Sequence, residues 1–353
     1  MSLLAQLKAR IAADGPISVA DYMSECLLHP DYGYYATRDP FGQLGDFTTA
    51  PEISQMFGEM LGLCLAQTWL DQGAPETVTL AELGPGRGTL MRDILRAARA
   101  VPAFKPHVCL IEASAHLRTV QAETLADHDI TWVDHIDDLP PAPLFLVANE
   151  FFDALPIRQF QRDGASWREI RIGVQDDVLS RGLGQAQGQP VLDHRLEDTQ
   201  DGDIVELCTP AITITQALSH KIAQYGGAAV LIDYGDWRSL GDTWQAMKRH
   251  APVPVLDAPG TADLTAHVDF ECLAEAARIA GAQHSRITPQ GVFLERLGIT
   301  DRAQALAQNL ADTDLDGHIA AHRRLTHPAE MGNLFKVMGI APINTSMPPG
   351  LEI

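Results

Sequence analysis

Through the first 75 residues, apolar positions recur at every third or fourth place, the spacing of a helix with one buried face. "SLLAQLKARIAADG" carries such a face and stops at Gly15. "SVADYMSECLL" follows Ser18, a candidate N-cap, and ends before His29-Pro30, where a proline disfavours further helix. After the aromatic turn "HPDYGYY", the stretch "ISQMFGEMLGLCLAQTWLDQG" reads as one long apolar helix. From Val78 the grammar changes. Short apolar runs, "VTLAELG", "HVCLIEA", "ITWVD" and "PLFLVANE", alternate with the helical patterns "TLMRDILRAAR" and "HLRTVQAETLA".

Beyond the fourth run, "PIRQFQRDGASWREIRIGV" alternates around Asp163-Gly164 and predicts a hairpin. "GDIVELC" is a further short strand, followed by a helix through Tyr225 and the buried strand "AAVLIDYG". "VDFECLAEAARIAGA" reads as a helix, and "HSRITP" and "NLFKVMG" as the last strands. Strand–helix alternation predicts an α/β fold with a mostly parallel sheet and helices on both faces. The expected layout is a helical N-terminal region over 1–75, covering the site, and a Rossmann-like domain over 76–353 with insertions at about 157–205 and 236–266.

With 353 residues and 46% hydrophobic content, the chain can bury a large core. Its formal charge of −20 argues against neutralising the phosphates of nucleic acid. No apolar run reaches the roughly 20 residues of a membrane span. "MSLLAQLKAR" resembles neither a signal nor a transit peptide, and five scattered cysteines form no CxxC pair, so a reduced cytoplasmic protein is expected. The apolar hairpin over 157–174 is a candidate dimer or partner surface.

The chemistry starts at "ELGPGRGTL", residues 82–90, where strand turns into helix. Gly84, Gly86 and Gly88 let backbone pass close to a ligand, and the following helix offers free N–H groups. A dinucleotide site would read G-x-G-x-x-G; here the third glycine comes one place early and Thr89 stands where Gly or Ala is wanted. G-x-G-x-G after an acidic strand end resembles the S-adenosylmethionine (SAM) loop of class I methyltransferases. Glu82 then faces the ammonium and sulfonium of that cofactor. Glu112 ends the second strand, where a carboxylate can accept the ribose hydroxyls. Asp134 ends the third, where adenine contacts are usual, with Ile136 a backbone donor nearby. Any one of these acids could be a strand-end cap; their shared register points to a ligand at the carboxyl ends of the strands.

The fourth strand ends in "ANEFFDALP", where such enzymes face the methyl acceptor. Asn149, Glu150 and Asp153 are the candidate catalytic groups. A carboxylate here can grip a guanidinium or amine and aim its nitrogen. Phe151, Phe152 and Pro156 form an apolar wall, with Phe152 also suited to simple core packing. In "DLTAHVDF" the cluster Asp263, His267, Asp269 adds His267 as a further candidate, although Asp269 suits an N-cap and His267 a loop histidine. No metal-ligand spacing occurs.

"GDFTTAPEISQMFGE" (45–59), "ELGPGRGTLMRDILR", "ANEFFDALP", "LIDYG" and "DLTAHVDF" together resemble the MidA-type SAM-dependent methyltransferases, over nearly the whole chain. The resemblance implies a class I methyltransferase fold and a product, S-adenosylhomocysteine (SAH). It also implies transfer to arginine, in symmetric dimethylation of a peripheral-arm subunit of NADH:quinone oxidoreductase (complex I) during assembly. The "THW" signature of other protein-arginine methyltransferases is missing, "TAHVDF" standing in an analogous place. It makes the stretch 45–59 a cofactor lid, with Gly45 a hinge and Thr48, Thr49 and Ser54 offering hydroxyls to the methionine carboxylate. Pro51 fits the first helical turn, capped by Thr49 or Ala50. Alternatives are a methyltransferase for a small molecule or another side chain, a SAM-binding assembly chaperone without catalysis, and, most distant, an NAD-dependent oxidoreductase.

Overall fold

A computed structural model describes residues 2–37 and 49–353. Gly45 and Thr48 of the expected lid lie outside the described residues. The central sheet is built from β1 (Thr79–Leu83), β2 (His107–Ile111), β3 (Ile130–Val133), β4 (Leu144–Asn149), β5 (Gly227–Asp236), β6 (Ala282–His284) and β7 (Phe335–Pro342). Its order is β6-β7-β5-β4-β1-β2-β3; β5 to β3 run parallel and β7 lies antiparallel to both its neighbours. The strand order reverses between β1 and β4, which opens a crevice at their carboxyl ends.

Alternation along each strand divides the core. Leu80, Val108, Leu110, Phe145, Val147, Val230 and Ile232 point to one face, and Ala81, Cys109, Leu146, Ala148, Ala229 and Leu231 to the other. The first face is covered by α1 (Gln55–Asp71) and α2 (Thr89–Ala98), the second by α4 (Thr209–Tyr225) and α5 (Phe270–Ile279); α3 (Ala115–Thr124) crosses between β2 and β3. Twelve of the seventeen residues of α1 are buried, because it lies between the sheet and the helices of 299–326. Each fully buried Leu or Phe in these layers contributes about 1.5–3 kcal/mol. Glu59 of α1, itself buried, takes two hydrogen bonds from Arg302 (2.7 and 3.0 Å) and one from Arg96 (3.2 Å), which ties the C-terminal helices to the core.

The insertions form separate sheets. Strands Arg158–Asp163, Ser166–Gln175, Val178–Gln187 and Ile204–Leu207 form one sheet with Ile17–Ser18, which pairs with Ser166–Gln175, and Gln245–Lys248, Ala251–Val253 and Asp263–Thr265 form a three-stranded sheet. Helices Leu3–Asp14 and Val19–Leu28 pack here, through Leu7, Tyr22, Met23, Ile170, Ile172 and Trp244. The first 75 residues therefore divide: these two helices join the insertions, while α1 joins the central sheet. The hydrophobic pattern announces neither the strand Val178–Gln187, mostly exposed and interrupted by glycine, nor the helices Gln290–Arg296, Ile299–Ala307 and Asp312–Thr326. "HSRITP" resolves into part of β6 and a separate bridge at Thr288–Pro289, both paired to β7. Among the described residues no helix is long and apolar enough to cross a membrane.

Candidate active site

β1 runs out of the sheet at Leu83, in one row with Ile111 of β2 and Val133 of β3, so Gly84, Glu112 and Asp134 follow side by side. Gly84 has φ +59°, and a Cβ there would stand 2.7 Å from the Phe151 ring. Gly88, at φ +81°, caps α2 in the left-handed conformation. The loop thus needs glycine at its start to admit Phe151 and at its end to begin the helix. Gly84 and Gly86 line a cavity of about 890 Å³ over the crevice; Gly88 stands behind it.

Glu82 lies on the cavity floor, 3% exposed. Met91 donates a backbone hydrogen bond to it, yet Oε2 has no hydrogen-bond partner among the described residues. Burial, reinforced by the charge of Glu112, pushes its carboxyl up to about 8. Glu112 accepts from the Ser114 N–H (2.8 Å) and from Gln121 Nε2 (3.1 Å), and burial raises its pKa too. Gln121 is fully buried; its Nε2 also donates to the Gly86 carbonyl (2.8 Å) and its Oε1 accepts from Trp132 Nε1 (2.8 Å). One side chain thereby fixes the glycine loop, Glu112 and β3 together. Asp134 is exposed and paired with Arg118 (2.6 Å), which also holds the Glu112 carbonyl (2.8 Å). Ile136 is buried at the start of a 3-10 turn, and both residues line the cavity.

From the N-terminal side, Thr49 and Pro51 line the same cavity. Thr49 occupies the N-cap position of the turn Ala50–Ile53, but its side chain makes no capping bond. Ser54 does not line the cavity: its hydroxyl accepts from the Met56 N–H (3.2 Å) and starts α1. Glu52 accepts from the Thr89 hydroxyl (2.6 Å), linking this turn to the glycine loop.

The other half of the cavity is set by the turn after β4. Glu150 adopts φ +52°, a left-handed conformation that costs a side-chain residue roughly 1–3 kcal/mol and survives only where its surroundings impose it. Its Oε1 accepts from the Ala50 N–H (3.0 Å) and from Asn149 Nδ2 (3.0 Å); Asn149 Oδ1 is buried without a hydrogen-bond partner among the described residues. Burial, with the charge of Asp153, pushes Glu150 up to about 7. Asp153 is raised by burial to about 6 and accepts from the Tyr234 hydroxyl. A third carboxyl, Asp233 of β5, is fully buried behind them, pushed well up by burial and by the charges of Asp153 and Glu150.

Tyr234 packs edge-on against His267 and Phe335, with ring centroids 5.3 and 5.6 Å away. His267 lines the cavity; burial and then Lys336 lower its pKa, which keeps the ring neutral at pH 7. The His267 backbone N–H donates to Thr243 Oγ1 (2.8 Å), and the Thr243 hydroxyl donates to buried Glu206 of the insertion sheet. Asp263 also lines the cavity and accepts from the Tyr35 hydroxyl (2.7 Å). Asp269 does not: it caps α5 through the Cys272 N–H (3.2 Å) and holds the Ser239 N–H (2.9 Å). The cluster in "DLTAHVDF" therefore splits between site and cap. Phe151 lines the cavity, whereas Phe152 is core.

A family model described as S-adenosyl-L-methionine-dependent methyltransferase, Methyltransf_28, matches residues 60–288. The chain belongs to this family. It is 36% identical to the Xenopus laevis mitochondrial protein arginine methyltransferase NDUFAF7, over 99% of this chain and 88% of that protein. With the Homo sapiens protein of that name the identity is 35%, over 96% and 83%. A COG1565 superfamily member from Burkholderia thailandensis, crystallised with S-adenosyl-homocysteine, superposes with a TM-score of 0.85 at 29% identity, covering 98% of this chain and 93% of that one. A second crystal structure from the same organism gives 0.80 at 30% identity, covering 96% and 91%. The MidA-type resemblance, the class I fold and the SAM cofactor are thereby borne out.

The methyltransferase site suits that cofactor on its own chemistry. Glu82 and Asn149 line the cavity, and each has one buried oxygen, Oε2 and Oδ1, without a hydrogen-bond partner among the described residues, a demand that suits the cationic amino end of the cofactor. Residue-by-residue reading of the sequence misses Gln121, Arg118, Asp233, Tyr35 and Tyr234. Of these only Asp233 and Tyr234 had a signal, since they stand in "LIDYG".

Proposed function

We propose that this methyltransferase is a cytoplasmic protein-arginine N-methyltransferase. In this reading it symmetrically dimethylates an arginine in a peripheral-arm subunit of complex I and thereby supports assembly. The relatives' name, protein arginine methyltransferase, supports the arginine acceptor. The observation that carries the reading is the acidic and aromatic build of the acceptor half. Glu150, Asp153 and Asp263 line it together with Tyr35, Tyr234 and Phe335, a lining that suits a flat cation.

SAM, when bound, supplies a methyl group on a sulfonium. Glu150 would hold the guanidinium through its carboxylate and aim one nitrogen. Arginine stays protonated at neutral pH, so each methylation releases a proton. Glu150 at about 7 and Asp153 at about 6 are basic enough to receive it. The turn carrying Thr49 and Pro51 covers the cavity from the N-terminal side and limits water.

The test is to incubate the protein with SAM and the purified peripheral-arm subunits and read intact and peptide masses. The expected gain is two methyl groups on one arginine, symmetric by fragmentation. Methyl gain on another side chain or on a small molecule, with none on arginine, would overturn the arginine reading and leave the methyltransferase intact.

A further inference from the structure

The geometry points to Asp233 as the positioning residue of the acceptor turn: one carboxylate oxygen gathers the three amides that follow Glu150 and so sets where Glu150 and Asp153 stand. β5 runs beside β4 with Ile232 opposite Asn149, and the Glu150 N–H donates to the Ile232 carbonyl (2.9 Å). Asp233 therefore faces the place where β4 ends. Its Oδ2 accepts from the N–H groups of Phe151 (3.2 Å), Phe152 (2.9 Å) and Asp153 (3.3 Å), while Oδ1 accepts from the Tyr234 N–H (3.0 Å). Consecutive amides converging on one oxygen form an anion nest, here filled from the neighbouring strand. Without it, three N–H groups at a cavity wall would need other partners, and the left-handed Glu150 would lose the hold on the residues that follow it. Asp233 is 0% exposed and does not line the cavity, so it acts through the turn.

Glu150 and Asp153 from the β4 turn, Tyr234 from β5, and Lys336, in register on β7, stand around Asp233; Arg324, from the helix Asp312–Thr326, acts on Glu150 in turn. Burial, then the charges of Asp153 and Glu150, push the Asp233 carboxyl well up.

The inference rests on methyl transfer at this site and holds for any acceptor. The test compares Asp233→Asn with the unaltered full chain in amide exchange, SAH affinity by calorimetry, and turnover on the proposed subunit. Protection at Phe151, Phe152 and Asp153 is expected to fall about ten-fold or more. SAH affinity should stay within about threefold, while kcat falls about 100-fold, the usual effect of a misplaced catalytic group. Undiminished protection at those amides, unchanged turnover, or a loss of SAH affinity in step with kcat would each overturn the assignment. If Asp233→Asn does not fold, Asp233→Glu keeps the carboxyl and shifts the oxygen; it should lose the same protection and the same turnover. If even the unaltered protein methylates no arginine, the arginine reading fails, and the exchange and SAH measurements still decide the role of Asp233.

Discussion

In the cofactor half of the cavity, two of the three carboxylates are held by donors of their own. Glu112 is held by Gln121 and the Ser114 amide, and Asp134 by Arg118. Among the described residues, one oxygen of Glu82 has no hydrogen-bond partner. In the acceptor half, Glu150, Asp153 and Asp233 crowd together: burial raises all three, the charge of Asp153 adds to Glu150, and the charges of both add to Asp233. The first arrangement is a rigid socket with a single strong demand for a cation. The second stores basicity. Both begin as acids at strand ends, so the difference lies in what surrounds each acid, not in residue type.

The comparison is broken most severely by Glu150→Gln. The amide keeps the volume and loses the charge, so turnover should fall about 100- to 1000-fold while SAH affinity hardly moves. Equal losses in both would mean that the two halves are not separable. Glu82→Gln is the mirror experiment. Replacing the unpaired buried carboxylate should weaken SAM binding about 30- to 100-fold, since breaking a desolvated charge contact costs roughly 2–3 kcal/mol, and kcat should change far less. Calorimetry and saturating-SAM kinetics on the same preparations read both quantities.

Titration sharpens the contrast. Glu150 must be ionised to hold a cation, and its free-enzyme pKa is raised to about 7. Below that pH, kcat/KM should fall about ten-fold per unit. Glu82, raised to about 8, is largely protonated at pH 7, and a cationic ligand favours its ionised form. SAM affinity should therefore drop as pH falls from 8 to 6, and binding at pH 7 should release a proton. Stability follows with the opposite sign. Both folded carboxyls bind protons more tightly than in the unfolded chain, so the ligand-free protein loses stability as pH rises from about 4.5 toward 8. The thermal shift given by SAM should accordingly grow from pH 6 to pH 8. A shift independent of pH in the Glu82 protein, as expected for Glu82→Gln, would remove Glu82 from the cofactor contact.

The fold was legible where local grammar and tertiary need agree. Apolar runs that end in an acid and a glycine loop mark β1, and the same alternation marks β2 to β5. It was not legible in Asp312–Thr326, whose one fully buried residue is Leu325; its polar sequence shows no apolar stripe because it packs at the surface of the C-terminal layer. The site divides in the same way. Glu82, Glu112 and Glu150 follow from their own strand ends. Gln121 meets Gly86 from 35 positions away, and Asp233 meets Phe151 from 82. Nothing in the residues around Gln121 marks it as more than a helix glutamine, and "LIDYG" singles out Asp233 without showing the amides that it holds. Asp263 and Asp269 show the converse: two similar acids six places apart, one in the cavity and one a cap, separated only by how the chain folds around them.

The smallest expected effect, on Gln121, is the most discriminating for the cofactor half. Gln121→Ala would leave the Gly86 carbonyl, Glu112 Oε2 and Trp132 Nε1 each short of a hydrogen bond in a buried setting. Part of that loss falls on overall stability, and part on the ligand. About 1 kcal/mol, or roughly fivefold in SAH affinity, is expected to reach the ligand. If Gln121 matters by aiming Glu112 at the ribose, an analogue lacking the ribose hydroxyls should bind the altered and unaltered proteins alike. If it matters by bracing the glycine loop, the fivefold should persist with that analogue. A double-mutant cycle of Gln121→Ala with Glu112→Gln separates the two, because only the first route makes the losses fail to add. The three-way contact of one side chain with loop, acid and strand predicts a coupling near the whole of the single-mutant effect; additive losses would show that the socket is held by its parts independently.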